Sequence, residues 1–322
     1  MIVGGFWGDL RFVKNTVVCC LSSGVLLPLC MSFSQYVCNL VYNSENPFSI
    51  EKRKMSLENQ EYQKLNKQPL SLVLAEFCFS EVRKMVEYVP DIQEALRKNY
   101  PAYDEGKSQS VRISPEGVAI DHQVSRWIFG SHDGSRVIVI SENNLVFITT
   151  DYDRFKGYED DCISAVELLL DVVKPQLLSR IGLRYNDVVY PTNEGYGLSD
   201  YVIQELYIPN NIRAIGNSII QNRTESTVET DEGVLTIRSL GGMNDDLVIM
   251  PDLGSMPLVS LRKDIPSGKP RLILDFDHIW HASPSEQFEL ELARNKLRSL
   301  HEIARKAFWS VTTELARNKR WQ

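Results

Sequence analysis

Between residues 275 and 281 the chain reads DFDHIWH, which brings Asp275, Asp277, His278 and His281 together in one short run. Carboxylates and imidazoles are the side chains that hold zinc, manganese or iron, so this run is the metal candidate and the basis of an enzyme reading. In an extended strand Asp275 and Asp277 project to the same side, and a turn after them would bring His281 round. A second run, DYDRF, sets Asp151 and Asp153 in the same pattern but continues with Arg154 and Lys156. A metal common to both runs is therefore not expected. The plainer reading is structural: carboxylates at a strand end accept backbone N–H bonds where the chain enters a helix.

Anion binding has its own candidates. The segment RIGLRYND puts Arg180 and Arg184 on one face of a strand beside Tyr185, where they would bind a small anionic ligand or pair with acidic residues on a neighbouring strand. Cys78 and Cys162 fall in apolar patterns and are expected in the core. The chain has five histidines but no His-Glu-x-x-His helix, and it lacks a Gly-x-Ser-x-Gly elbow. GYGLSD lacks the lysine and the third glycine of a phosphate loop and reads as a flexible turn. No catalytic residue and no cofactor is assigned on these signals.

The elements that must position such residues start from a chain of 322 residues, 43% hydrophobic and 24% charged, which suits a globular fold. A net charge of −7 argues against general nucleic-acid binding, which needs clustered lysine and arginine. Four of the six cysteines lie in the first 38 residues, and the remainder has the thiol content of a reduced, cytoplasmic protein. Residues 15–44 carry no charge, so 1–54 is set apart as an apolar N-terminal extension. It is an artefact of a start that belongs at Met55, a membrane or export segment, or a soluble ordered extension, and only in the second case is membrane association expected.

From residue 70 the periods are clear. LSLVLAEFCF (70–79) is a strand, and a helix is expected over about 90–99, opened by Pro90. A meander follows through VRISPEGVAI, RWIFGS, RVIVIS and NLVFITTDY. Apolar residues from Tyr158 to Val173 recur at three and four positions and predict a helix. The order then restarts: a strand at 179–190, a short helix at 198–207, and strands in AIGNSIIQNRT and GVLTIRSL around a turn at 231–233. A Gly- and Pro-rich loop at 241–270, with DLVIM as a possible strand, leads to PRLILDFDHIW and a long helix from Ser285 to about Lys319. The basic end ARNKRW would complement the negative end of that helix.

Residues 70–175 and 179–319 thus read as diverged copies of one β-α-β-β-β-α unit, with the Asp-aromatic-Asp run of each at the junction of its last strand and last helix. The expected organisation is the extension 1–54, a first α+β unit at 55–178 and a second at 179–322. The fold class is α+β, an antiparallel sheet covered by long helices, TATA-binding-protein-like or helix-grip in outline.

Taken together, QPLSLVLAEFCF, SRIGLRYNDVV, LILDFDHIW and LHEIARKAFWSVTTELARNKRW resemble a sporadically distributed family of uncharacterised prokaryotic proteins known by a family number. The resemblance covers about residues 65–322 and carries no established activity. Its patchy distribution implies accessory genes, a setting for defence or toxin-neutralising partners. The leading expectation is a non-enzymatic cytoplasmic binding or regulatory protein with a protein partner, working through a concave sheet face or the groove between the units. The alternatives are the metal-dependent enzyme and a small-ligand sensor built on Arg180, Arg184 and Tyr185.

Overall fold

The computed structural model describes residues 62–322 except 115–116, 193–194, 208–211, 213–214, 217–219, 255 and 262–264, with backbone alone over 108–123, and the short strand Val17–Cys19. Apart from that strand, the apolar extension expected at 1–54 lies outside the described residues, as does part of the strand expected in AIGNSIIQNRT.

The molecule is α+β and is organised by one antiparallel sheet. Its strands are β1 (Val17–Cys19), β2 (Leu70–Phe79), β3 (Ala102–Ser114), β4 (Gly117–Gly130), β5 (Arg136–Ile140), β6 (Asn144–Thr149), β7 (Leu177–Val189), β8 (Gln221–Thr230), β9 (Gly233–Gly242) and β10 (Arg271–Gln287). Their spatial order is β1-β3-β4-β5-β6-β2-β7-β10-β9-β8. The two strands that open the halves, β2 and β7, pair at the centre, with Val73 opposite Tyr185 and Phe77 opposite Ile181. One sheet therefore runs unbroken across both halves of the chain.

Three helices, α1 (Met85–Leu96), α2 (Phe155–Val172) and α3 (Leu290–Val311), lie on one face. Each buries a stripe at helical spacing: Met85, Val89, Ile92 and Leu96 on α1, Cys162, Val166 and Leu169 on α2, Ala293, Leu297, Leu300 and Ala304 on α3. Helix α1 begins before Pro90 and contains it. The reason is that Met85 and Val89 extend the buried stripe by a turn, and that burial outweighs the one hydrogen bond proline removes.

Two further expectations are corrected. The last helix begins at Leu290 because 286–287 are used by the sheet: after a bulge, Glu286 and Gln287 pair with Leu178 and Leu177. It also stops at Val311. Arg317, from the basic end, donates from Nη1 to the Trp309 carbonyl at 2.7 Å and to Thr312 Oγ1 at 2.9 Å, satisfying the helix end as the sequence suggested. The short helix expected at 198–207 is a pair of 3-10 turns, Leu198–Asp200 and Gln204–Leu206.

The opposite face of the sheet is covered in part by the 241–270 segment. It forms no DLVIM strand, because Asn186 takes its backbone: Met250 N–H donates to Asn186 Oδ1 at 2.9 Å, and Asn186 Nδ2 donates to the Val248 carbonyl at 3.4 Å. Leu247, Met250, Leu253 and Leu258 pack over Leu72, Val139, Ile148 and Ile273. The segment thus straps the second half to the first, where Ser260 N–H donates to the Gly134 carbonyl at 2.8 Å. Part of the sheet face expected to bind a partner is covered by the chain itself. Among the described residues no helix is long and apolar enough to cross a membrane.

Candidate functional site: a cavity between the two halves

Strand alternation decides where each candidate residue goes. On β10, Asp275 and Asp277 face the strap, whereas Phe276 and His278 face the helices. His278 is buried among structural partners: its Nδ1 meets the Leu300 carbonyl at 3.0 Å and its Nε2 meets Thr230 Oγ1 at 2.9 Å. His281 is exposed and lies opposite Arg180 of β7. The four residues of the metal candidate do not meet at one point. Among the described residues no group of three or more His, Cys, Asp and Glu side chains is placed to hold a metal.

Asp275 serves a different purpose. It is fully buried and each of its oxygens takes one arginine: Arg184 Nε donates to Oδ1 at 2.7 Å and Arg238 Nη1 to Oδ2 at 2.8 Å. Arg184 turns its other edge to Asp252 of the strap in a two-pronged contact at 2.9 and 3.0 Å, and Arg238 reaches Glu225 at 3.1 Å and Asp277 at 3.3 Å. Burial works against the charge of Arg184, but Asp275 and Asp252 outweigh it and hold its pKa above the usual range. The reading of Arg184 as a partner for acidic residues on a neighbouring strand therefore describes the geometry. Arg180 likewise pairs with Glu76 and donates to Cys78 Sγ at 3.2 Å. Tyr185 points to the opposite face, so the trio proposed for a sensor is split by the pleat.

The two Asp-aromatic-Asp runs also differ in setting. Asp151 and Asp153 lie after the end of β6, at the entry to α2, as expected, with Asp153 paired to Lys64. Asp275 and Asp277 lie in the middle of β10, paired on both sides to β7 and β9, not at a strand-to-helix junction. The reason is the continuation of β10 to Gln287.

What the two runs share is the residue between the aspartates. Tyr152 and Phe276 both stand in the wall of a cavity of about 270 Å³, set among the segment 62–70, the start of α2, the second half of α3, and strands β7 and β10. Tyr185 enters it from the helix side of β7. Its hydroxyl and His301 Nδ1 share a hydrogen bond at 2.7 Å, and the His301 ring lies on Phe155 with centroids 3.8 Å apart and planes 3° from parallel. Burial, with the nearby Arg305 charge second, lowers the His301 pKa to about 3, so the imidazole is neutral at ordinary pH. The Tyr152 and Tyr185 hydroxyls are held protonated by burial.

The mouth is formed by polar and aromatic groups from separate parts of the chain. Tyr62 meets the Trp309 ring edge-on with centroids 5.4 Å apart, and the Arg305 guanidinium lies over Tyr62 at 4.1 Å from its ring centre. The 62–68 segment is tied at both ends, by the Lys64 to Asp153 ion pair and by Lys67 N–H donating to the Trp321 carbonyl at 2.9 Å. Deeper, Asp187 is 4% exposed on the same face of β7 as Tyr185. Sequence reasoning passed over Tyr152, Phe276, His301 and Arg305. One signal was available: His301, Arg305 and Phe308 recur at helical spacing beside the apolar stripe of the last helix.

Family models, curated proteins and solved structures give no match to this chain.

Proposed function

We propose that this is a non-enzymatic binding protein whose ligand enters the groove between its two halves. The observation that carries the reading is the cavity of about 270 Å³ walled by Tyr152 from the first half and Phe276 from the second. A concave site with aromatic walls and convergent polar groups at the junction of two units is a usual setting of a small-molecule site. His301 is neutral and stacked, Tyr152 and Tyr185 are protonated, and these groups orient a ligand without offering a nucleophile.

The halves are read as diverged copies related about the β2/β7 pairing, in the manner of a TATA-binding-protein-like or helix-grip fold. In support, each half places its first strand next to its last, β2 beside β6 and β7 beside β10, and sends its last helix to the same face. A ligand seated between the copies would couple them, which suits a regulatory protein that passes occupancy to a protein partner. The prokaryotic accessory-genome setting, with a defence or toxin-neutralising role in the cytoplasm, is proposed on the motif resemblance alone.

Filling the cavity tests the reading. Ala304 is buried in its wall, and Ala304→Leu occupies the space without changing charge. The full-length protein, equilibrated with a small-molecule extract and then dialysed, should retain one compound at near-stoichiometric level by mass spectrometry, and the folded variant should retain none. Equal retention by both proteins would place the ligand elsewhere.

A further inference from the structure

We propose that the cavity takes a small organic anion with a planar aromatic body and its acid group beside Arg305; this rests on the reading of the groove as a ligand site. Three independent features lead to it. The walls are aromatic on several sides, with Tyr152, Phe155, Phe276, Phe308 and Trp309 offering faces and edges that favour a flat ring over a branched chain.

The second feature is unmet hydrogen-bonding capacity at the mouth. Arg305 pairs through Nη2 with Glu302, but its Nε and the Tyr62 hydroxyl are buried in the cavity wall and have no hydrogen-bond partner among the described residues. Buried polar atoms are mostly paired, and two orphaned ones that share a cavity wall give an arriving ligand group a place to bond. Arg305 Nε can only donate, so the arriving group must accept. Tyr62 now covers the guanidinium, and moving its ring aside would open Arg305 to the cavity. A carboxylate or phosphate oxygen is the acceptor that also matches the charge.

The third feature is the distribution of charge. The cationic side chains Lys64, Arg154 and Arg305 are at the mouth, where Asp153 engages Lys64 and Glu302 engages Arg305 from outside, and the first turn of α2, next to Arg154, has neither an acidic residue nor a side-chain cap. Asp187 is on the strand floor, buried beside Tyr185. A flat anion meets the cationic side chains of the mouth with its acid group, whereas a simple cation would meet Arg305. Indole-type carboxylates and nucleoside monophosphates share this chemistry, and they differ in the acid group.

Matched ligands separate the possibilities. Titration calorimetry on the full chain would compare indole-3-acetate with indole-3-acetamide and tryptamine, and adenosine monophosphate with adenosine. The expected result is that in one of the two sets the anion binds at least ten-fold more tightly than its neutral or cationic partners. Arg305→Gln should erase that preference while circular dichroism shows the fold retained. Arg305→Lys, which keeps the charge but lacks the Nε–H, should weaken the anion by a smaller factor, and it carries the test if the glutamine variant does not fold. A preference in the indole set assigns a carboxylate, and one in the adenosine set a phosphate. Tighter binding of tryptamine, the amide or adenosine, blocked by Ala304→Leu, would overturn the anion inference and leave the cavity reading standing. A preference untouched by either Arg305 variant would overturn it too, and so would binding of none of the five compounds, whereas the cavity reading stands or falls with retention from the extract.

Discussion

The imidazole of His301 lies flat on the Phe155 ring, 3.8 Å between centroids, and ties helix α3 to the first turn of α2 where the two halves of the chain meet. Its native pKa of about 3 lies below the unfolded value near 6.5, so between those pH values the unfolded chain binds a proton that the native protein does not. Stability from this group is therefore complete above about pH 6.5 and falls as the pH drops toward 3, by about 1.4 kcal/mol per unit. His301→Phe keeps the stack and removes the titration. Its melting temperature should fall less between pH 7 and 4.5 than that of the parent, and equal falls would refute the assignment.

Asp275 divides its two oxygens between Arg184 and Arg238 inside the sheet, and removing its charge leaves two buried guanidinium groups short of a partner. Asp275→Asn should cost about 3–5 kcal/mol in urea unfolding. Glu225→Gln, at the exposed end of the same network, should cost under about 1 kcal/mol. Similar costs for the two would mean that Asp275 is not the centre of the network.

The strap is held by Asp252 through its two-pronged contact with Arg184. Asp252 is half exposed in its side chain, which limits the contact to about 1 kcal/mol. Asp252→Ala should speed amide exchange over residues 247–259 about five-fold while leaving β7 and β10 protected, because the Asn186 contacts remain. A uniform rise across the sheet would show that the strap is not a separable unit.

Gly233 closes the β8/β9 hairpin at a φ of +144°, and a Cβ there would fall 2.1 Å from the Ile279 carbonyl oxygen. Gly233→Ala combines a strained backbone with a clash against β10 and should cost about 3 kcal/mol or more. A cost below about 1 kcal/mol would mean that the hairpin shifts freely.

Much of this architecture is written in local periods. The strand at 70–79, the strand expected at 179–190 and found at Leu177–Val189, and the helix stripes through Val166 and Leu297 follow from residue spacing, and so does the Asp231–Gly233 turn. Long-range pairing is not written locally. Whether 285–287 continue a strand or open a helix depends on Leu177 and Leu178, more than a hundred residues earlier, and the fate of DLVIM depends on Asn186. The site was legible only in part for the same reason. The aspartates drew attention because their chemistry is strong, yet alternation turned Asp275 and His278 to opposite faces, while the aromatic residues between the aspartates reached the cavity. That cavity is assembled from separate stretches, with Tyr62, Tyr152, Tyr185, Phe276 and His301 far apart in the chain, so no spacing rule could join them.

The most direct measurement is a crystal structure of the full-length protein soaked with the tightest-binding member of the ligand panel. Ordered density is expected for the ring between Tyr152 and Phe276, with the acid group within hydrogen-bonding distance of Arg305 and Tyr62 moved off the guanidinium. An empty cavity with the compound bound on the sheet face beside Arg180 and His281 would contradict it.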